Sequence, residues 1–353
     1  MTSSNTATMA VARNYKDYGS ALWKRIILTR EGAVFAALIL VIIIASVTVK
    51  HFAAPITATY LLLDIAPILL IALPMTLVII TGEIDLSVAS TAALASVTLG
   101  TLHQAGMPLE LAALVAIIVG ALAGALNGFL ITVVGLPSLA VTIGTLALYR
   151  GLAVGLLGTT AVTDFTEFWK DLAKSKIGGS AIPSVVILIA VLAVAFAILL
   201  HFTQFGRGIY AIGLSPEAAR FSGVRVERTK FILFVMSGSV SALAGIFYTL
   251  RFSSARGDNQ TGLELSVIAA VLLGGVSIFG GRGALHGVLA GVLLIGTLGS
   301  ALRLASVTSD VINIITGTLL VASVVSTSVL AWIRSKRSRP GGKKPETAAA
   351  TKS

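Results

Sequence analysis

The chain of 353 residues is 56% hydrophobic and only 12% charged, with a mean hydropathy of +0.96, which excludes a single soluble core and points to a membrane protein. Its 26 Lys and Arg outnumber its 15 Asp and Glu, an excess that fits either nucleic acid or the cytoplasmic face of a membrane. Cysteine is absent, which excludes disulfides, thiolate chemistry and sulfur-ligated zinc, and the four scattered histidines do not replace it.

Residues 1–32 carry Arg13, Lys16, Lys24, Arg25 and Arg30 and are too long and polar for the basic start of a cleaved signal peptide, so they read as a cytoplasmic tail. Crossing about 30 Å of hydrocarbon takes roughly 20 apolar residues as helix. That criterion predicts spans at 33–49, 58–81, 86–102, 109–134, 137–157, 183–203, 230–251, 262–280, 284–303 and 310–332. The expected fold is an all-α integral membrane protein of about ten transmembrane helices over residues 33–333. The pieces around Glu83 and Gly280 are joined by very short turns and read as broken or re-entrant helices.

With the N-terminus inside, the cytoplasmic segments hold 18 of the 26 Lys and Arg, as the positive-inside rule requires. In the longest external loop, 158–182, Asp164, Glu167 and Asp171 offset Lys170, Lys174 and Lys176. The basic excess therefore reports topology and not nucleic acid, and both termini fall on the cytoplasmic side.

Asp64 lies early in the second span and is followed by Pro67 and Pro74. It is either an edge residue or the lining of a polar cavity in a kinked helix. Next, Thr81-Gly-Glu-Ile-Asp-Leu-Ser-Val-Ala-Ser90 breaks a long apolar run with two carboxylates. A charge inside the bilayer costs at least about 2.5–3.5 kcal/mol, so Glu83 and Asp85 belong at an interface, within protein or against water. One reading is a solvated turn whose Asp85 or Ser87 caps the next helix. The other is a gating element beside a pathway, for which Asp64, Glu83, Asp85 and Ser87 are the candidates.

Gly120, Gly124 and Gly128 in the fourth span, and Gly283, Gly287 and Gly291 in the ninth, recur every fourth residue, which places each set on one helical face suited to close packing. Gly124-Ala-Leu-Asn-Gly128 and Gly283-Ala-Leu-His-Gly287 match locally in spans of opposite direction. This is either chance in a Gly- and Ala-rich chain or the trace of an inverted repeat, which would set a pathway at the repeat interface.

Between these sets, Ser215 precedes Pro216 and Glu217, an N-cap followed by proline at the first helical position and an acid near the positive end of the helix dipole, and Gly223 supplies a stop. A short helix of about two turns is predicted there, on the cytoplasmic surface within the connector 204–229. Ala218, Ala219 and Phe221 would give it an apolar contact, with Arg220 and Arg225 as a basic rim. It is either a connector held by lipid headgroups or a docking helix for a soluble partner. Residues 334–353, with seven bases and Pro340, Gly341, Gly342 and Pro345, read as a disordered cytoplasmic end near anionic lipid.

The chain has no phosphate loop, so ATP hydrolysis is not expected of it, and no catalytic or metal site is predicted. It also lacks an Arg-rich voltage sensor and a potassium-type filter. A secondary transporter driven by an ion gradient would suit ten spans and an inverted repeat. It would need intramembrane ion ligands, for which only Asp64, Glu83 and Glu264 are available.

Taken in order, Thr81 to Ser90, Ala211-Ile-Gly-Leu-Ser-Pro-Glu-Ala-Ala-Arg-Phe-Ser-Gly223 and Val267-Ile-Ala-Ala-Val-Leu-Leu-Gly-Gly-Val-Ser-Ile-Phe-Gly-Gly281 closely resemble the permease subunits of bacterial sugar ABC importers, in register over residues 33–335. The similarity is to the ribose, rhamnose and autoinducer-2 branch. It implies a multi-pass protein of the bacterial cytoplasmic membrane that is not an enzyme and binds no cofactor of its own. Such a permease moves a monosaccharide-type substrate by alternating access. The implied partners are a second copy or a similar permease, cytoplasmic ATPase subunits that hold ATP and Mg, an extracytoplasmic sugar-binding protein and membrane lipids. The resemblance assigns Gly213, Ser215, Pro216, Glu217, Ala218, Ala219, Ser222 and Gly223 to the loop that touches the ATPase. The family commonly carries glycine where this chain has Glu83 and Ala89, so the charge in that turn marks either a subgroup or a changed pathway.

Overall fold

Hydrocarbon offers no water to backbone amides, so an apolar chain of this kind satisfies them within helices. The computed structural model describes residues 30–319, 321, 322 and 325, and among these the only departures toward β structure are two isolated bridges, Val162 with Ala255 and Lys176 with Pro183. The tail before residue 30, the end of the last predicted span and the basic tail 334–353 lie outside the described residues.

The helices are α1 (Arg30–Thr48), α2 (Pro55–Ile80), α3 (Val88–Gln104), α4 (Leu109–Thr132), α5 (Ser138–Leu157), α6 (Glu167–Lys174), α7 (Val185–Phe202), α8 (Gln204–Leu214), α9 (Pro216–Phe221), α10 (Val226–Phe252), α11 (Leu263–Leu273) and α12 (Leu285–Leu304). Residues 309–319 are also helical. Seven of these, α1, α2, α4, α5, α7, α10 and α12, are long and apolar enough to cross a membrane. With 17 and 11 residues, α3 and α11 are shorter.

The piece before Gly280 is broken, as expected from its short turn: within the span predicted at 262–280, α11 stops at Gly274 and Gly275, the latter at φ +97°, and the chain runs on as a loop to Ala284. Eleven residues rise only about 16 Å, half of the hydrocarbon. Gly283 falls in that loop, at φ +153°, so it does not share a helical face with Gly287 and Gly291. Two helices occupy stretches read as polar connections, α6 in the loop 158–182 and α8 before the Ser215 cap.

The centre of the bundle is α2, buried along most of its length, with Pro67 and Pro74 inside the helix and not ending it. It packs against α10, α12, α7 and α11. Lipid tails are as apolar as leucine, so helices in a bilayer associate through close packing and not through hydrophobic burial. The α4–α10 contact is of this kind. A Cβ on Gly124 would strike the Phe234 carbonyl, one on Gly120 would meet Ala242 and Gly238, and Gly128 lies against Phe231. Likewise Gly287 and Gly291 of α12 press on the backbone of Gly274 and Ala270 at the end of α11. Ile39, Ile43, Leu114, Leu122, Ile187 and Val191 remain exposed on α1, α4 and α7, the surface that suits acyl chains.

The bundle has two polar ends. One holds α8 and α9, the Tyr210 hydroxyl donating to Gly283 O at 2.8 Å, and His286 against Glu31 at 2.7 Å. The other holds α6, the Val162–Ala255 bridge and the Thr59 hydroxyl donating to Ala181 O at 2.7 Å.

Candidate functional site

At the end of α2 the helix leaves carbonyls without intrahelical partners. Thr81 returns its hydroxyl to Val78 O at 2.7 Å, and Gly82 turns the chain at φ +83°. The Ile80 carbonyl instead accepts from the amide of Gly281, at 2.8 Å. Gly213, near the end of α8, lies over the same point, where a Cβ would collide with Ile80 O and Gly281 N. Gly280 completes the contact, with Gly213 O, Gly82 N and Ile80 O all close to where its Cβ would stand. Three segments far apart in sequence therefore meet at one backbone junction.

From this junction the chain enters α9. The Ser215 hydroxyl accepts from Ala218 N at 3.2 Å, Pro216 opens the helix, and the chain passes Ser222 into Gly223 at φ +83°. Ala219 turns inward against Ile212 and Val226, which anchors the helix to α8 and α10. Glu217, Ala218 and Phe221 remain outward, with Phe221 94% exposed and Leu214 of α8 exposed beside it. Arg220 forms an ion pair with Glu227, and Arg225 stays exposed.

The acidic turn between α2 and α3 divides into two environments. Glu83 pairs with Lys230 near the start of α10, and both side chains are only 15% exposed. Asp85 is buried and accepts from the Ser87 amide at 3.0 Å, the Ser87 hydroxyl at 2.6 Å and the Ser237 hydroxyl of α10 at 2.7 Å. Ser87 occupies the N-cap position of α3 without a side-chain cap bond. Its oxygen instead accepts from Asn127 Nδ2 of α4 at 2.8 Å, and the Tyr149 hydroxyl of α5 donates to Ala123 O at 2.8 Å beside that amide. One buried polar network thus ties α3, α4, α5 and α10 together.

Asp64 stands apart from these groups, sixteen residues before the end of α2 and so about 24 Å away along the helix. It accepts from Arg251 of α10 and, at 3.2 Å, from Arg303 of α12. The structure therefore brings Glu83, Asp85 and Ser87 together and leaves Asp64 at the opposite end. The partners Lys230, Ser237, Asn127, Arg251 and Arg303 were not singled out from sequence. Their signal was a polar residue within an otherwise apolar helix, which commonly bonds across helices. Among the described residues no group of three or more His, Asp or Glu could hold a metal.

Residues 57–324 match the family described as branched-chain amino acid transport system / permease component. The chain is 38% identical over 266 residues to the autoinducer 2 import system permease protein LsrD of Escherichia coli O157:H7, an alignment covering 74% of this chain and 80% of the relative. The proteins of the same name from Escherichia coli K12 and Shigella flexneri give the same identity over the same length. No solved structure matches.

Proposed function

The chain belongs to this permease family, and from that premise we infer that it is the membrane-spanning subunit of an ATP-binding-cassette importer for a monosaccharide-like substrate. The 38% identity over 266 residues to an autoinducer 2 import permease, inside the family match over residues 57–324, is the observation that carries the reading. An autoinducer-2-like sugar is the substrate that these relatives favour. The subunit works with a second permease, cytoplasmic ATPase subunits that hold ATP and Mg, and an extracytoplasmic binding protein. The α9 end faces the cytoplasm together with both termini, the orientation that the distribution of Lys and Arg supports.

In this mechanism the ATPase grips the outward face of α9, and its movement on ATP binding passes through Gly213 into Ile80 and the Gly281 loop. Gly213 meets the Ile80 carbonyl and the Gly281 amide backbone to backbone, so displacement of α9 is felt directly at the end of α2. The glycine contact of α4 with α10 then lets the helices slide and opens the pathway to the other side. An ion-gradient mechanism loses two of its three candidate ligands, because Asp64 is occupied by two guanidiniums and Glu83 by an ammonium; among the described residues only Glu264 of α11 keeps a buried carboxylate oxygen without a hydrogen-bond partner.

The bundle also supports an inverted repeat of α2–α5 with α10–α12 and the helical stretch that follows. Each half opens with one of the two longest helices, of 26 and 27 residues, and continues with a shorter one. The third helix of each half, α4 or α12, packs against the long helix of the other. The full crossing count is then ten, with α3 and α11 as the short members.

The decisive experiment purifies the tagged chain in mild detergent from its native membrane, beside a Phe221→Asp variant. Co-purification of a phosphate-loop ATPase with the parent, and its loss from the variant without loss of the permease, is the expected result. A chain that purifies alone and transports sugar under an ion gradient would overturn the importer reading.

A further inference from the structure

At the outer end, between the first turns of α2 and the last turn of α12, lies an open pocket of about 220 Å³ lined by Thr57, Tyr60, Asp64, Ser300, Arg303 and Leu304. Thr57, Tyr60 and Asp64 recur at helical spacing on one face of α2, opposite Ser300 and Arg303 on α12. Asp64 and Arg303 are partly open, whereas Arg251 behind them is only 8% exposed. Two guanidiniums against one carboxylate leave the cluster with a net positive charge, which no surface against acyl chains would carry, so the pocket opens to water.

Its chemistry is mixed. The carboxylate accepts one bond from each Arg and keeps further lone pairs, Arg303 keeps free donors, the Tyr60 and Ser300 hydroxyls can both donate and accept, and the Thr57 hydroxyl, which already donates to His51 O at 2.7 Å, can still accept. The exposed ring of Tyr60 adds an apolar face. An apolar ligand would strand the charges and a polyanion would confront Asp64. A small ring bearing hydroxyls on its edge and C–H groups on its face satisfies every member.

We propose that this pocket is the permease's outer sugar subsite, in which Asp64 and Arg303 hold the hydroxyls of a monosaccharide-like ring and Tyr60 stacks on its face. The proposal rests on the importer reading and adds to it the residues that first receive substrate on the outer side.

Because the chain has no cysteine, Leu304→Cys at the rim is a single reporter of occupancy. The full-length variant in proteoliposomes is labelled with a membrane-impermeant maleimide, with or without L-rhamnose, D-ribose or autoinducer-2. At about four times its Kd one of these sugars slows labelling by about fivefold, as roughly 80% occupancy requires. Adding Tyr60→Ala abolishes that protection, and Tyr60→Phe, which keeps the ring, retains it. Equal labelling with all three sugars, or full protection in Tyr60→Ala, overturns the proposal. Protection by inorganic phosphate in place of sugar overturns it in favour of an anion site. ATP-driven uptake by the complete assembly is measured in parallel. Uptake without protection removes the subsite and leaves the importer standing, whereas absence of ATP-driven uptake removes both.

Discussion

The amide of Gly281 closes the end of α2 by donating to the carbonyl of Ile80 at 2.8 Å, with Gly213 packed over the pair. A helix C-terminus usually finds such a partner in the residues that directly follow it. Here the partner comes from the loop between α11 and α12, so the position of α2 is tied to α8 and to that loop.

Gly213 and Gly223 bracket α9 but are glycine for different reasons, and substitution separates them. At Gly213 a Cβ would meet backbone, whereas Gly223 has open space and only a positive φ. Gly213→Ala therefore forces a shift costing about 1–3 kcal/mol, and Gly213→Val costs more. Gly223→Ala carries only backbone strain, about 1 kcal/mol. Thermal unfolding in detergent should rank Gly213→Ala below Gly223→Ala, and the reverse order would remove the close-contact argument.

Glu83 and Lys230 should behave as a pair. Either neutralised alone leaves a largely covered charge without its counterion, at about 3–5 kcal/mol. Glu83→Leu combined with Lys230→Leu removes both charges and should melt above each single variant. A double variant no more stable than the worse single one would show that the two side chains are not coupled.

Ser237 and Ser241 lie one turn apart on α10 and offer a matched control. Ser237 donates to the buried Asp85 carboxylate, and among the described residues the Ser241 hydroxyl is buried without a partner. Ser237→Ala should cost about 1–3 kcal/mol, the penalty of leaving a buried acceptor without its donor. Ser241→Ala removes a buried hydroxyl without a partner and should be neutral or stabilising. Equal melting temperatures for the two variants would argue against the polar network.

In the cluster of Asp64, Arg251 and Arg303, Asp64→Asn should be the more damaging change, since it leaves the covered Arg251 without its carboxylate. Arg303→Gln removes a half-exposed partner and should cost at most about 1 kcal/mol. Yield and melting temperature of the two purified variants give the order, and a more severe Arg303→Gln would reassign the anchoring role to Arg303.

Apolar run length carried most of the fold. The second span, predicted at 58–81, is the helix Pro55–Ile80, and the Ser215-Pro216 cap forms where its residue chemistry placed it. Hydropathy was blind to the early end of α11, because the residues after Leu273 remain mostly apolar while adjacent glycines release the helix. It also passed over α8, whose mixed composition over Gln204–Leu214 conceals a helix capped by Thr203. The partners of the acidic residues were beyond reach for another reason. Glu83 and Lys230 are 147 positions apart, and no local periodicity records a contact of that range.

That distance also sets an order of events during synthesis. At about 5–20 residues per second, the ribosome takes roughly 7–30 s to pass from Glu83 to Lys230, and Ser237 follows shortly after. The Gly281 amide that closes α2 is made later still. Throughout that interval the nascent acidic turn lacks its native ammonium and its donor from α10. The first half of the chain must therefore wait in the insertion machinery or at the bilayer surface. Chains that terminate before α10 should be poor at settling in the membrane and good substrates for quality-control proteases.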